Sequence, residues 1–227
     1  MRRLLTPCLL LASTFFLTHT THAQEVHTPP GQFDYYVLNL SWAPDFCNNM
    51  KTLTPQERTA AGNDMQCATP QGFVLHGLWP QNFNGSYPTN CSDKPAHEDL
   101  KRNLDMTPNI ALLNHEWAKH GTCTTLSPST FFATARQAYT SVSIPEEFKV
   151  IQKDTELSPI AILTMWYRAN PSFPQGAFAL SCGNNRLTAI EACFSKDTIQ
   201  PIACQNIPTC HAPVVKITPQ NDDGIVE

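Results

Sequence analysis

The sequence predicts an α+β fold in a single domain, and three observations carry that prediction. Segments rich in β-branched and aromatic residues are interspersed with proline-started helical segments, without the regular alternation of a βαβ protein. Once an N-terminal leader is set aside, about 200 residues remain, enough for one domain to bury a substantial core. That remainder holds an even set of eight cysteines, Cys47, Cys67, Cys91, Cys123, Cys182, Cys193, Cys204 and Cys210. In an exported chain such a set reads as four disulfides.

The leader is residues 1–23, a signal peptide expected to be removed. "MRR" is a basic start, "LLTPCLLLASTFFL" an apolar run, and "THA" a small-residue cleavage end before Gln24. The run is interrupted by Thr6, Pro7, Ser13 and Thr14 and is short for a membrane span. The functional domain is therefore expected over 24–227, periplasmic or secreted, with no membrane association.

The elements follow in order. Residues 33–42, "FDYYVLNLSW", read as a strand that stops before Pro44. Thr54, Pro55 and Glu57 have the spacing of a capping box, so a short helix starts there. Residues 72–79, "GFVLHGLW", read as a second strand stopped by Pro80, and residues 80–91 as loop by their Pro, Asn and Gly content. Thr107-Pro108 starts a helix with Ile110, Leu113 and Trp117 on its apolar face. Two more helices start at Ser127-Pro128 and Ser158-Pro159, the latter running to about Arg168. "AFALSC" and "LTAIEACFS" form a strand pair around the turn "GNN", and roughly the last dozen residues read as a frayed tail.

Charge narrows the function classes. The formal net charge is −4, and losing Arg2 and Arg3 with the leader makes the remainder more acidic still. A polyanionic ligand could not be held by bulk electrostatics, so any positive charge that meets it must be local. A zinc knuckle is disfavoured because no CxxC pair occurs.

The chemistry concentrates in residues 115–123, "HEWAKHGTC". A zinc protease needs two histidines four apart on one helix face. His115 and His120 are five apart, roughly 140° around a helix, so they cannot easily share one metal. Glu116 and His120 are about 40° apart and Lys119 is one turn from Glu116, so these three can face one cleft with His115 at its edge. An imidazole, an ammonium and a carboxylate on one spot suit proton transfer beside developing negative charge. For an arbitrary helix, a solvated Glu-Lys pair is the commoner explanation. A second cluster weighs against it: "HGLWP", residues 76–80, puts another histidine at the end of an expected buried strand, so that an acid and a base can come from separate rigid elements.

These residues resemble a known family. "GFVLHGLWP", the following "NGSYP", "HEWAKHGTC" and the paired late cysteines are similar to the ribonuclease T-2 family, nearest to its bacterial periplasmic, ribonuclease I type branch. The resemblance runs from Phe33 to Cys210 and is weak at both ends. It implies an antiparallel sheet flanked by helices, disulfide-stabilised, and an endoribonuclease that needs no cofactor and no metal. By resemblance His120 is the general base and His76 the general acid, Glu116 with Lys119 stabilises the phosphorane, and His115 holds the phosphate. Trp79 and Tyr87 match the aromatic pair that stacks a base, although for either alone core packing is the commoner role. Trp117, beside Leu113, belongs with the core instead. Gln81 departs from the acid found after "HGLWP" in some members, which removes the ground for an adenine preference. The resemblance also implies the pairs Cys47–Cys67, Cys91–Cys123, Cys182–Cys210 and Cys193–Cys204.

The expected activity is low-specificity cleavage of single-stranded RNA through a 2′,3′-cyclic phosphate to a 3′-phosphate, by a monomer that leaves DNA intact. Two rivals are a zinc hydrolase, which the histidine spacing disfavours, and a catalytically silent RNA-binding or signalling protein of the same fold. Asn84-Gly85-Ser86 and Asn90-Cys91-Ser92 match the glycosylation pattern, which has meaning only in a eukaryotic host.

Overall fold

A computed structural model describes residues 25–26, 28–54, 56–57, 64–96 and 100–220. The leader and the extreme C-terminus lie outside the described residues, as does all of the helix after Thr54 but its first turn. That turn is present: Thr54 Oγ1 accepts from Glu57 N, and the Glu57 carboxylate accepts from Thr54 N at 2.7 Å.

The framework is a six-stranded sheet in the order β3-β2-β7-β8-β5, with β6 pairing β7. Its strands are β2 (Tyr35–Trp42), β3 (Phe73–Gln81), β5 (Thr155–Leu157), β6 (Phe178–Gly183), β7 (Arg186–Ser195) and β8 (Val215–Ile217). A separate parallel pair joins β1 (Glu25–Val26) to β4 (Tyr87–Pro88), within the stretch expected to be loop. The helices are α1 (Ala43–Met50), α2 (Asp64–Cys67), α3 (Ile110–Lys119), α4 (Pro128–Ser141) and α5 (Pro159–Ala169). The expected α+β domain is therefore present. Its sheet is antiparallel except where β8 meets β7 in parallel at Arg186.

Local signals worked where the chemistry is local. Ser127 and Ser158 each cap a helix by accepting a backbone N–H three residues on, with proline in the first turn. Asn184 and Asn185 both adopt positive φ, as the two-residue hairpin turn between β6 and β7 requires.

Three expectations change. β3 does not stop at Pro80 but runs to Gln81, because it is an edge strand and a missing N–H costs nothing on its open side. The cap of α3 is Asn109, whose side chain accepts from Leu112 N; Thr107 instead donates to Leu75 O at 2.7 Å and ties the helix start to β3. The tail is ordered through β8: Thr218 O accepts from the Trp42 indole at 2.9 Å, and Gln220 bonds the Ile151 backbone.

The period of β2 divides the sheet into two faces. Tyr36, Leu38, Leu40 and Trp42 point into the main core with Leu75, Leu78, Ile190, Phe194, Trp117, Phe131 and Trp166. Tyr35 and Val37 lie on the other face in a small cluster with Cys193, Trp79 and Ile207. That second face carries the cleft.

Candidate active site

Strand alternation alone would not bring His76 to the cleft. β3 pairs Leu78 with Leu38 and Gly77 with Asn39, but then Leu75 with Leu40, so His76 is the extra residue of a bulge. In unbroken register it would take the place of Leu75 opposite Leu40, on the core face. The bulge re-aims the imidazole and leaves its side chain 39% exposed, well inside the strand and not at its end.

Helix α3 supplies the other half. Glu116 is 2% exposed, and its Oε2 accepts from the Trp79 indole at 2.8 Å while Oε1 lies 3.4 Å from His76 Nε2. Among the described residues no ion pair joins Glu116 to Lys119, so the solvated Glu-Lys face is not what forms. A Cβ on Gly77 would sit 1.8 Å from Glu116 Oε2, and one on Gly121 would sit 2.3 Å from the Trp117 ring. Both glycines of the two signature segments are therefore places where a side chain closes on bare backbone.

His120 is the C-cap of α3, its N–H donating to Glu116 O, and is 6% exposed. Its Nδ1 is buried without a hydrogen-bond partner. Burial is the main reason its pKa falls to about 4; Glu116 pulls it back up, while Lys119, His115 and His76 add to the fall. For Glu116, burial pushes the carboxyl up, but His76, His120 and the Trp79 bond together hold it below the usual range. Trp79 stands between the two imidazoles, edge-on to His76 and tilted over His120, each at 5.4 Å between ring centroids.

The cleft, about 350 Å³, is lined by all seven expected residues: His76, Trp79, Tyr87, His115, Glu116, Lys119 and His120. His115 is exposed on the ridge between this cleft and a second hollow beside Ser41 and Leu112. Trp117 is in the core, as expected. The disulfides are Cys47–Cys67, Cys91–Cys123, Cys182–Cys210 and Cys193–Cys204. Cys91–Cys123, with Asn90 N donating to Lys119 O at 2.9 Å, clamps the segment after β3 to the end of α3.

The sequence reading missed Val37, Glu191, Ile207 and Pro208 on the cleft wall, and Asn39 and Ser41 beneath His76. Asn39 and Ser41 had a signal, being polar at alternate positions of an otherwise apolar strand. Among the described residues no three His, Cys, Asp or Glu side chains gather as one metal ion would require, and no helix is long and apolar enough to cross a membrane.

The model of the Ribonuclease T2 family matches residues 33–204. The chain is 28% identical over 220 residues to ribonuclease DdI of Dictyostelium discoideum, covering 88% of this chain and 89% of that one. It is 40% identical over 102 residues to a ribonuclease of Aeromonas hydrophila, covering 44% of this chain and 42% of that one. The RNase-related protein from Calystegia sepium has the same fold, with a TM-score of 0.65 at 22% identity over 86% of this chain and all of that one.

Proposed function

The chain belongs to the ribonuclease T2 family and is an endoribonuclease, and from that premise we propose that it is an exported enzyme that cuts single-stranded RNA with little base specificity and without a metal. Residues 1–23 would be the discarded leader and 24–227 the catalytic domain. The bacterial periplasmic branch is part of the proposal, supported by the Aeromonas hydrophila relative.

The single observation that carries the mechanism is the contrast in the two imidazoles. His120 is buried with a pKa near about 4 and is neutral at neutral pH, whereas His76 has the Glu116 carboxylate 3.4 Å from Nε2. RNA brings its own nucleophile, the 2′-hydroxyl, so the protein need only move protons and hold charge. Neutral His120 takes the 2′-hydroxyl proton as the 2′-oxygen bonds to phosphorus. The bond to the 5′-oxygen breaks, and protonated His76 supplies the proton to that oxygen. The product is a 2′,3′-cyclic phosphate, which water opens to a 3′-phosphate with the two histidines in exchanged roles.

Lys119 sits on the same wall, where its charge meets the extra negative charge of the phosphorane. Glu116 orients His76, His115 on the ridge engages phosphate, and Trp79 with Tyr87 offers a base a stacking surface. Gln81, also on the wall, gives no acid to favour adenine.

Purified protein incubated with RNA and with DNA of matching sequence, each with and without EDTA, tests the proposal. RNA should be degraded in both conditions and DNA in neither. Cleavage of DNA, or activity lost to EDTA and restored by zinc, would revive the metal rival; no cleavage of any RNA would favour the catalytically silent one.

A further inference from the structure

Behind His76 runs a chain of polar side chains that the proton-transfer scheme does not use. Ser41 Oγ lies 3.1 Å from His76 Nδ1 and donates to Asn39 Oδ1 at 3.3 Å. Asn39 Nδ2 donates to Glu191 Oε1 at 3.1 Å, and Ser181 Oγ donates to the same oxygen at 3.2 Å. The residues come from β2, β6 and β7, so strand pairing holds the chain in line; Asn39 pairs directly with Glu191.

The direction of each bond can be read outward from the carboxylate. A carboxylate oxygen only accepts, so Asn39 must turn its amide nitrogen to Glu191 and its carbonyl oxygen to Ser41. Ser41 has one proton, and the Asn39 carbonyl takes it. Toward His76, Ser41 then offers only a lone pair, which demands a proton on Nδ1. With Nδ1 protonated, the nitrogen that gains and loses a proton is Nε2, the one beside Glu116 at 3.4 Å.

We infer that Glu191, Asn39 and Ser41 are positioning residues that hold His76 in the Nδ1–H form, so that Nε2 is the nitrogen that delivers the proton to the leaving oxygen. This rests on the reading of His76 as the general acid. Burial holds the Glu191 carboxyl above the usual range, with Ser181 and Asn39 pulling it back. If it takes a proton on Oε2, Oε1 still accepts and the direction of the chain is unchanged. The titratable groups around His76 are Glu116, His115, Lys119 and His120 at α3 and Glu191 on β7, so a pH profile alone would not isolate the relay.

The test is ¹⁵N NMR of the imidazoles in the full chain, at a pH where His76 is neutral. Wild-type protein should show His76 protonated on Nδ1 and bare on Nε2; the reverse overturns the inference without any variant being made. Ser41→Ala and Glu191→Leu should each raise the Nε2–H population. Each should lower kcat about fivefold, the rate equivalent of one hydrogen bond, with KM little changed and the alkaline limb of the kcat profile moved to lower pH. Glu191→Gln still offers an oxygen to Asn39 and should keep the wild-type tautomer, which separates direction from charge. Unchanged tautomer and kcat in both Ser41→Ala and Glu191→Leu would overturn the relay. A fully active His76→Ala would instead overturn the functional reading, leaving the tautomer measurement standing by itself.

Discussion

His76 and His120 face the same cleft from opposite kinds of surroundings. His76 rides on the bulge of an edge strand, half-exposed, with an oxygen near each ring nitrogen: Ser41 at Nδ1 and Glu116 at Nε2. His120 closes a helix, buried, with Nδ1 lacking any partner. In the first setting both N–H groups of an imidazolium would meet an acceptor; in the second, burial disfavours the charged form and Glu116 offsets only part of that cost. Two chemically identical side chains are thus given unlike surroundings by position alone. The proposed pairing of an acid and a base at one pH depends on that difference.

The largest effect that bears on this contrast is loss of either imidazole. His76→Ala and His120→Ala should each slow RNA cleavage by at least about 10²-fold, and the double variant should lose far less than the product of the two. Initial rates on one RNA substrate measure all three. A His120→Ala enzyme at near-normal rate would end the assignment. Lys119→Ala should lower kcat more than it raises KM, and His115→Ala the reverse, which sorts phosphorane stabilisation from substrate binding.

Opening the clamp between the two regions should come next. Replacing Cys91 and Cys123 together by serine removes a cross-link spanning 32 residues and should cost about 3 kcal/mol in urea unfolding. Activity should fall further than folded fraction does, because the same bond holds the α3 end against the segment that follows His76. Equal losses would mean that the clamp serves stability only.

The burial of His120 has a signature in stability against pH. Its pKa is about 4 folded against 6.5 for a free imidazole, so between these values the unfolded chain binds the proton and the folded one does not. Stability from this group is complete above about 6.5 and is lost as pH falls toward about 4, on the order of 3 kcal/mol in all. Glu116, held below its ordinary 4.5, loses its contribution only as pH falls past that value, at the acid end of the histidine's window, so the comparison that isolates the histidine is wild type against His120→Ala. The variant should show a flatter slope; identical slopes would mean that His120 is not desolvated.

The smallest predicted effect sharpens the role of close packing. In Gly77→Ala the new methyl meets both Glu116 Oε2 and Trp79 Nε1, so the carboxylate and the indole that hold each other must shift. Overpacking of this kind costs about 1–3 kcal/mol. Cleavage should be impaired beyond what that loss of stability explains, read from rates on fully folded protein.

Much of this molecule was legible in one dimension. Ser127-Pro128 and Ser158-Pro159 start helices because a cap involves only neighbours in sequence, and the Asn184-Asn185 turn is a property of those two residues. The seven cleft residues were named from residue type and spacing together with a family resemblance, and the fold brings all seven to one cleft. Pro80 misled because whether a strand tolerates proline depends on which of its edges is free, and that is settled by where β2 lies. The start of the tail misled because Thr218 is held by Trp42 and Asp45, more than a hundred residues earlier, and β8 by its pairing with β5.

What the sequence determined by itself was therefore composition at the site: two imidazoles, a carboxylate and an ammonium, with the helices and turns that local hydrogen bonds define. Only the tertiary structure decided what each of them became. The bulge that turns His76 out of the core is a mismatch between two strands, and the burial of His120 comes from packing the end of α3 against the cleft floor. The choice of His76 and Trp79 over Lys119 as partners of Glu116 is likewise a matter of distances across chain separations of 37 residues or more. Protonation and orientation depend on such distances and on exclusion of water, and neither quantity exists until the strands and helices have met.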